Sequence, residues 1–149
     1  MTEDNELFNP LTEEQLQELV DAVALAIGEK AKYTINVTGR LRRHSATAST
    51  WGYHLTGRRT INFARSELHR PTNPLIVNII HEIAHFKECE RGRRQWNKAK
   101  QRGFNPTSKT RALQFYGYHK HKSHTKRFDR IFQKLLNRVQ ITYGENLRR

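Results

Sequence analysis

Apolar residues recur along this chain with two distinct rhythms, helical and alternating. In LTEEQLQELVDAVALAIGEKA, residues 11–31, Leu16, Leu19, Val20, Val23 and Ile27 fall three and four apart, the spacing of one helix face. Thr12 can cap this helix, with Gln15 at the capping-box position. In YTINVT, apolar and polar residues alternate, so Tyr33, Ile35 and Val37 face one way from a strand. Residues 46–54 (ATASTWGYH) are small and β-tolerant, and Gly57 turns the chain into RRTINFA. This pattern predicts a three-stranded antiparallel meander at 33–41, 45–54 and 59–64. Helical rhythm then returns in Ile76, Ile79, Ile80 and Ile83, flanked by Leu75 and Phe86. It predicts a helix over 73–90, with Asn73 as cap and Pro74 in the first turn. Phe128, Ile131, Phe132, Leu135 and Val139 form a last stripe, predicting a helix over 123–140 capped by Ser123. Between these two helices, residues 91–122 read as a basic insertion in which RRQWNKAKQRG adds a short helix. The whole is a single α+β domain over 1–149, without an internal repeat or an interdomain linker.

Composition narrows the function classes. The chain has 149 residues, enough for one real core. No apolar run is long enough to cross a membrane, and the acidic start does not read as a secretory signal. The one cysteine excludes an internal disulfide framework, so a reducing, cytoplasmic setting is expected, nucleoid-associated or, in a eukaryote, nuclear. The expected state is a monomer. The formal charge of +13 is unevenly spread. The stretch from 1 to 21 contains no Lys or Arg, whereas 91–127 contains no acid at all. A one-sign block of that length points to a polyanionic partner; the bland alternative is a solvated basic loop.

Candidate chemistry centres on HEIAHFKECE, residues 81–90. His81 and His85 stand four apart, so a helix projects both rings from one face, where they can share one ion. Glu82 lies one residue on, placing its carboxylate beside such an ion, where a general base for an attacking water belongs. Composition alone would yield H-E-x-x-H in roughly three sequences of this kind in a hundred, so the motif favours a metal site without proving one. Both histidines fall at the edge of the isoleucine stripe, the placement of a metal pair walled by apolar packing.

A catalytic zinc takes three protein ligands. The donors downstream of His85 are Glu88, Cys89, Glu90, His119, His121, His124, Asp129 and Glu145. Glu88 and Cys89 lie a turn further along the same helix, where the axis climbs past the ion; Cys89 reads as a small buried thiol. His124 stands four residues before Phe128, on the core side of the last helix, and points at the metal if that helix packs on the motif helix. His121 is the reserve.

These segments together carry a resemblance. The order RLRRHSATAST, TINFARSEL, LIVNIIHEIAH and HTKRF resembles the SprT-like metalloprotease domain, the family that includes Spartan, over about residues 33–136. The resemblance implies a minimal zincin-like fold, one Zn2+ held by His81, His85 and His124, and Glu82 as catalytic base. It further implies a protease that works on DNA, removing proteins crosslinked to it. The chain departs from the family in three places. Thr125 stands where the family usually has Gly, the segment between His85 and His124 is longer and strongly basic, and the zinc ribbon that often follows is lacking.

Two cation groups could contact phosphates: Arg40, Arg42 and Arg43 in the first, and Arg93, Arg94, Lys98 and Lys100 with Trp96 in the second. Trp51 sits near the first group in the expected sheet. Exposed aromatics among cations stack single-stranded bases, although both tryptophans equally suit core packing. The expected partner is DNA, single-stranded or junction-containing and bound without base sequence preference, together with its bound proteins. Tyr53, His54, Tyr116 and Tyr118 are candidates for a second electrophile, and a strand edge in 45–54 for pairing with substrate backbone. Two competing readings share these features: a metal-dependent hydrolase of nucleotides or RNA, and a non-enzymatic nucleic-acid-binding protein with a structural zinc.

Overall fold

The structure, a computed structural model, describes residues 10–50, 53, 56–103 and 125–143. The fold class is α+β, as the sequence pattern predicts. Three helices pack with a small sheet: α1 (Glu13–Ala26), β1 (Thr34–Thr38), β2 (Ala46–Ala48), β3 (Thr60–Ala64), a 3-10 turn (Arg65–His69), α2 (Thr72–Gln101) and α3 (Lys126–Tyr143). No helix among the described residues is long and apolar enough to cross a membrane.

Helix α1 begins as its sequence dictates. The Thr12 hydroxyl accepts the Gln15 N–H at 3.1 Å, and the Gln15 side chain accepts the Thr12 N–H at 2.9 Å. Leu16, Val20, Val23 and Ile27 are fully buried, and Leu19 packs at the margin. The helix ends at Ala26 instead of continuing to 31. Gly28 takes a positive φ of 80°, the left-handed conformation that closes a helix and that other residues adopt at a cost.

The sheet is mixed, not an antiparallel meander. Its order is β1-β3-β2, with β1 parallel to β3 and β2 antiparallel to it. Burial accounts for the order. TINFA is the most deeply buried of the three strands, with Ile61 and Phe63 fully buried, and it takes the centre, where both of its edges are paired. The second strand is also shorter than the expected 45–54. It stops at Ala48, and the Tyr53 N–H bonds the Ser49 carbonyl at 2.9 Å, an i to i−4 contact that an extended strand cannot make. The outer edge of β1 is covered by α1: the Gln17 amide donates to the Tyr33 carbonyl at 2.7 Å and accepts the Ile35 N–H at 3.1 Å.

After β3 the chain makes the 3-10 turn, which is pinned from below. Glu67 is fully buried, bonded to Arg70 at 3.0 Å and to the Asn78 amide at 3.4 Å. Helix α2 then starts one residue earlier than expected. Pro71, not Asn73, is its cap: the Pro71 backbone is extended and its carbonyl accepts the Leu75 N–H. Pro74 sits in the first turn, where its missing N–H has no partner to lose. The larger difference is at the other end. The helix runs on to Gln101, so the first third of the expected insertion is a continuation of the motif helix. Gly103, at φ 90°, closes it. In α3, Phe128, Leu135 and Val139 are buried while Ile131 and Phe132 are half-buried, as the stripe predicts. Its cap is Thr125, whose hydroxyl accepts the Phe128 N–H at 3.0 Å. The expected cap, Ser123, lies outside the described residues.

Candidate metal centre

His81, Glu82 and His85 come together on α2, with one potential ligand atom of each lying within 4.8 Å of the others. They are the one group of three or more His, Cys, Asp or Glu side chains found in such an arrangement among the described residues. The isoleucines explain why the group is so placed. Ile76, Ile79, Ile80 and Ile83 are all buried, and their stripe turns the two histidines to the margin of the core, half-exposed. Their rings lie 4.9 Å apart, nearly perpendicular. Helix α3 closes the other side with aromatic rings. Phe128 stacks on His85 at a centroid distance of 4.3 Å and meets His81 edge-on at 5.1 Å, and Phe132 meets His81 at 5.3 Å.

Glu82 is nearly inaccessible at 4% exposure, and both of its oxygens are engaged. Oε1 accepts the backbone N–H of Ala48 at 2.7 Å, and Oε2 lies 2.7 Å from Nδ1 of His81. A hydrogen on Nδ1 would let His81 donate to this oxygen and leave Nε2 as the nitrogen to offer a metal. Each carboxylate oxygen has a second lone-pair site, so these two bonds still leave capacity for a water. The Ala48 contact was not foreseeable from the motif. It ties the site to edge strand β2, because alternation along an antiparallel ladder turns the Ala48 N–H away from β3.

The two imidazoles suit zinc, which takes imidazole nitrogen and in catalytic sites accepts three protein ligands. His124, the expected third ligand, lies outside the described residues, as do the reserve His121 and the candidates His119, His54, Tyr116 and Tyr118. Cys89 is not part of the group. It is fully buried, its sulfur 4.0 Å from the Thr50 carbonyl oxygen, and burial, then the negative charge of Glu90, push its thiol up to about 12. Tyr53 packs edge-on against Phe86 and turns its hydroxyl to Arg59, 3.4 Å away, in a cluster completed by the Arg59–Glu90 ion pair. Those contacts do not include the metal group.

The two cation groups sit apart. Arg40, Arg42 and Arg43 are exposed on the loop after β1. That loop is fastened near the start of α2: the His44 N–H bonds the Ser66 hydroxyl at 2.7 Å, and Arg70 donates to the His44 carbonyl. Arg93, Arg94, Lys98 and Lys100 are exposed on the final three turns of α2. At 1.5 Å per residue the second group begins roughly 30 Å along α2 from the helix start. Trp96 is half-buried, with the Lys100 ammonium 5.9 Å from its ring. Trp51 lies outside the described residues.

In comparisons with known proteins the chain matches no family model, no curated protein and no solved structure.

Proposed function

We propose that this protein is a zinc-dependent endopeptidase of SprT-like type acting on proteins bound or crosslinked to DNA. The observation that carries the reading is the convergence of His81, Glu82 and His85 within 4.8 Å, with Glu82 hydrogen-bonded to the backbone of an edge strand. A structural zinc needs no base at its margin, and here a buried carboxylate is held at that place by two hydrogen bonds. The order HTKRF in the sequence supplies His124 as the third ligand of this reading.

When bound, zinc supplies Lewis-acid polarisation and lowers the pKa of its water to roughly 7. The chain supplies the rest. His81 and His85 present nitrogens from one helix face, with the His81 ring oriented by its contact with Glu82. Glu82 takes a proton from the attacking water and returns it to the leaving amine. Strand β2, at one edge of the sheet, offers backbone beyond the Ala48 N–H that Glu82 holds to an extended peptide, whereas β1, at the opposite edge, has its outer side taken by Gln17. Phe128 and Phe132 wall the histidines with apolar surface, which strengthens the electrostatics of the site.

The test is metal analysis of the purified protein with hydrolysis of a DNA-bound protein substrate, comparing wild type with Glu82→Gln. Glutamine still accepts the Ala48 N–H but cannot serve as base. Glu82→Gln is expected to retain zinc and lose about 10²–10⁴ in rate. Equal hydrolysis by both proteins, or wild type that binds no zinc, refutes the reading. Hydrolysis of RNA or nucleotides in place of protein, with the same Glu82 requirement, assigns the site to phosphate ester chemistry.

A further inference from the structure

Glu88 is a second buried carboxylate on α2, 2% exposed, that the peptidase reading leaves without a role. Burial that deep demands hydrogen-bond donors, and both that it receives come from the start of α3. Its Oε2 accepts the Thr125 hydroxyl, and the Arg127 Nε lies 3.4 Å from the same oxygen. Arg127 also donates to Gln95 of α2 at 2.9 Å. Thr125 works in both directions. Its hydroxyl gives its hydrogen to Glu88 and accepts the Phe128 N–H, so one side chain both caps α3 and fastens it to α2. Phe128, set by that cap, is the ring stacked on His85 at 4.3 Å with 28° between planes.

We infer that Glu88 and Thr125 form a clamp that positions the His85 imidazole by holding Phe128 over it. Both are positioning residues: they act on the histidine through the ring of Phe128. The chain of contacts runs from a buried acid, through a hydroxyl and a helix cap, to an aromatic face on a candidate ligand. In its zinc arm the inference rests on the metal-site reading; its second arm does not.

The experiment uses the full chain with Thr125→Val, Thr125→Ser and Glu88→Gln. Valine keeps the volume and removes the hydroxyl, serine restores the hydroxyl, and glutamine keeps an acceptor without the charge. In the metal-free protein, NMR reads the ring-current shift of the His85 ring protons and their cross-relaxation with Phe128. Thr125→Val is expected to move the shift and weaken the cross-peaks, Thr125→Ser to restore both, and Glu88→Gln to fall between. Zinc affinity, measured by chelator competition with Zn2+ itself, is expected to fall about tenfold in Thr125→Val and to recover in Thr125→Ser. Unchanged His85 signals in Thr125→Val overturn the clamp, as does a loss that serine fails to restore, which marks a merely structural role. If Thr125→Val does not fold, Glu88→Gln against wild type decides on the same signals. A wild type that binds zinc no better than His81→Ala sinks the metal reading alone, and the His85 signals still judge the clamp.

Discussion

Helix α2 is two helices in one, and its halves are built on opposite principles. From Leu75 to Gly92 it is a core element: eleven of its residues are buried, among them the isoleucine stripe, Phe86, Cys89 and the acids Glu82 and Glu88. From Arg93 to Gln101 no residue is buried, and four of the nine are Lys or Arg. The first half is stabilised by burial, and the His81, Glu82 and His85 group sits at its margin. The second half has little packing to stabilise it and continues on the helix propensity of Arg, Lys, Gln and Ala, carried forward from an already formed helix. The two roles proposed for these halves, a site for a small ion and a surface for an extended polyanion, would make these opposite demands of one continuous helix.

The sharpest way to break that contrast is truncation. Phe86 is fully buried between Tyr33 and Tyr53, at centroid distances of 5.6 and 6.0 Å. Phe86→Ala is expected to cost about 3–5 kcal/mol of folding stability. Arg94→Ala, in the exposed half, should stay within about 0.5 kcal/mol. Denaturant titration of both measures the difference, and similar losses would show that the second half is packed after all.

The same contrast explains what the sequence made legible. Wherever burial imposed a period, reading succeeded: the α1 stripe and its capping box, the isoleucine stripe and the α3 stripe are all where their residues predict. The end of α2 was missed because apolar periodicity ceases at Phe86 while the helix does not. The mixed sheet was missed for another reason. Short segments reveal alternation but not partners, and the parallel pairing of β1 with β3 is a long-range choice, set by which strand is buried at the centre. The histidine pair was legible because i, i+4 is a fixed geometry. Ala48 and Glu88 were not, since nothing local marks a backbone N–H or an acid as the partner of a distant site.

A second prediction tests the buried half as a metal centre. His81→Ala should abolish stoichiometric zinc, and His124→Ala should reduce occupancy as much. Metal analysis after dialysis reads both. Full retention in His124→Ala with loss in His121→Ala would transfer the third ligand to His121.

In the exposed half, replacing Arg93, Arg94, Lys98 and Lys100 together by neutral residues should weaken DNA binding regardless of base sequence. The slope of log affinity against log salt should fall by up to about 1 for each phosphate left without its cation. Zinc content should not change, since none of the four belongs to the metal group. Binding to single- and double-stranded DNA as tight as wild type at every salt concentration would reduce this half to a solvated surface.

The smallest effect returns to the boundary between the halves, at Cys89. Its thiol is held neutral by burial and then by the negative charge of Glu90, and is pushed from its ordinary value of 9.0 up to about 12. Unfolding frees it to ionise at the ordinary value. The raised folded value therefore stabilises the fold fully below about pH 9, and that contribution is lost as pH climbs towards 12. Tyr33, also raised by burial and by Glu29, adds a loss of the same sign above pH 10, so the window that isolates Cys89 is pH 9–10. Across it the thiol's contribution falls by at most about 1.4 kcal/mol per pH unit. Cys89→Ala lacks the ionising group, so its stability should decline less steeply than that of wild type over this window, whatever the absolute cost of removing the sulfur. Denaturant midpoints at pH 7, 9 and 10 supply the comparison. Parallel curves would mean that the thiol reaches solvent in the folded protein, and that the exposed half of α2 begins a turn earlier than the packing places it.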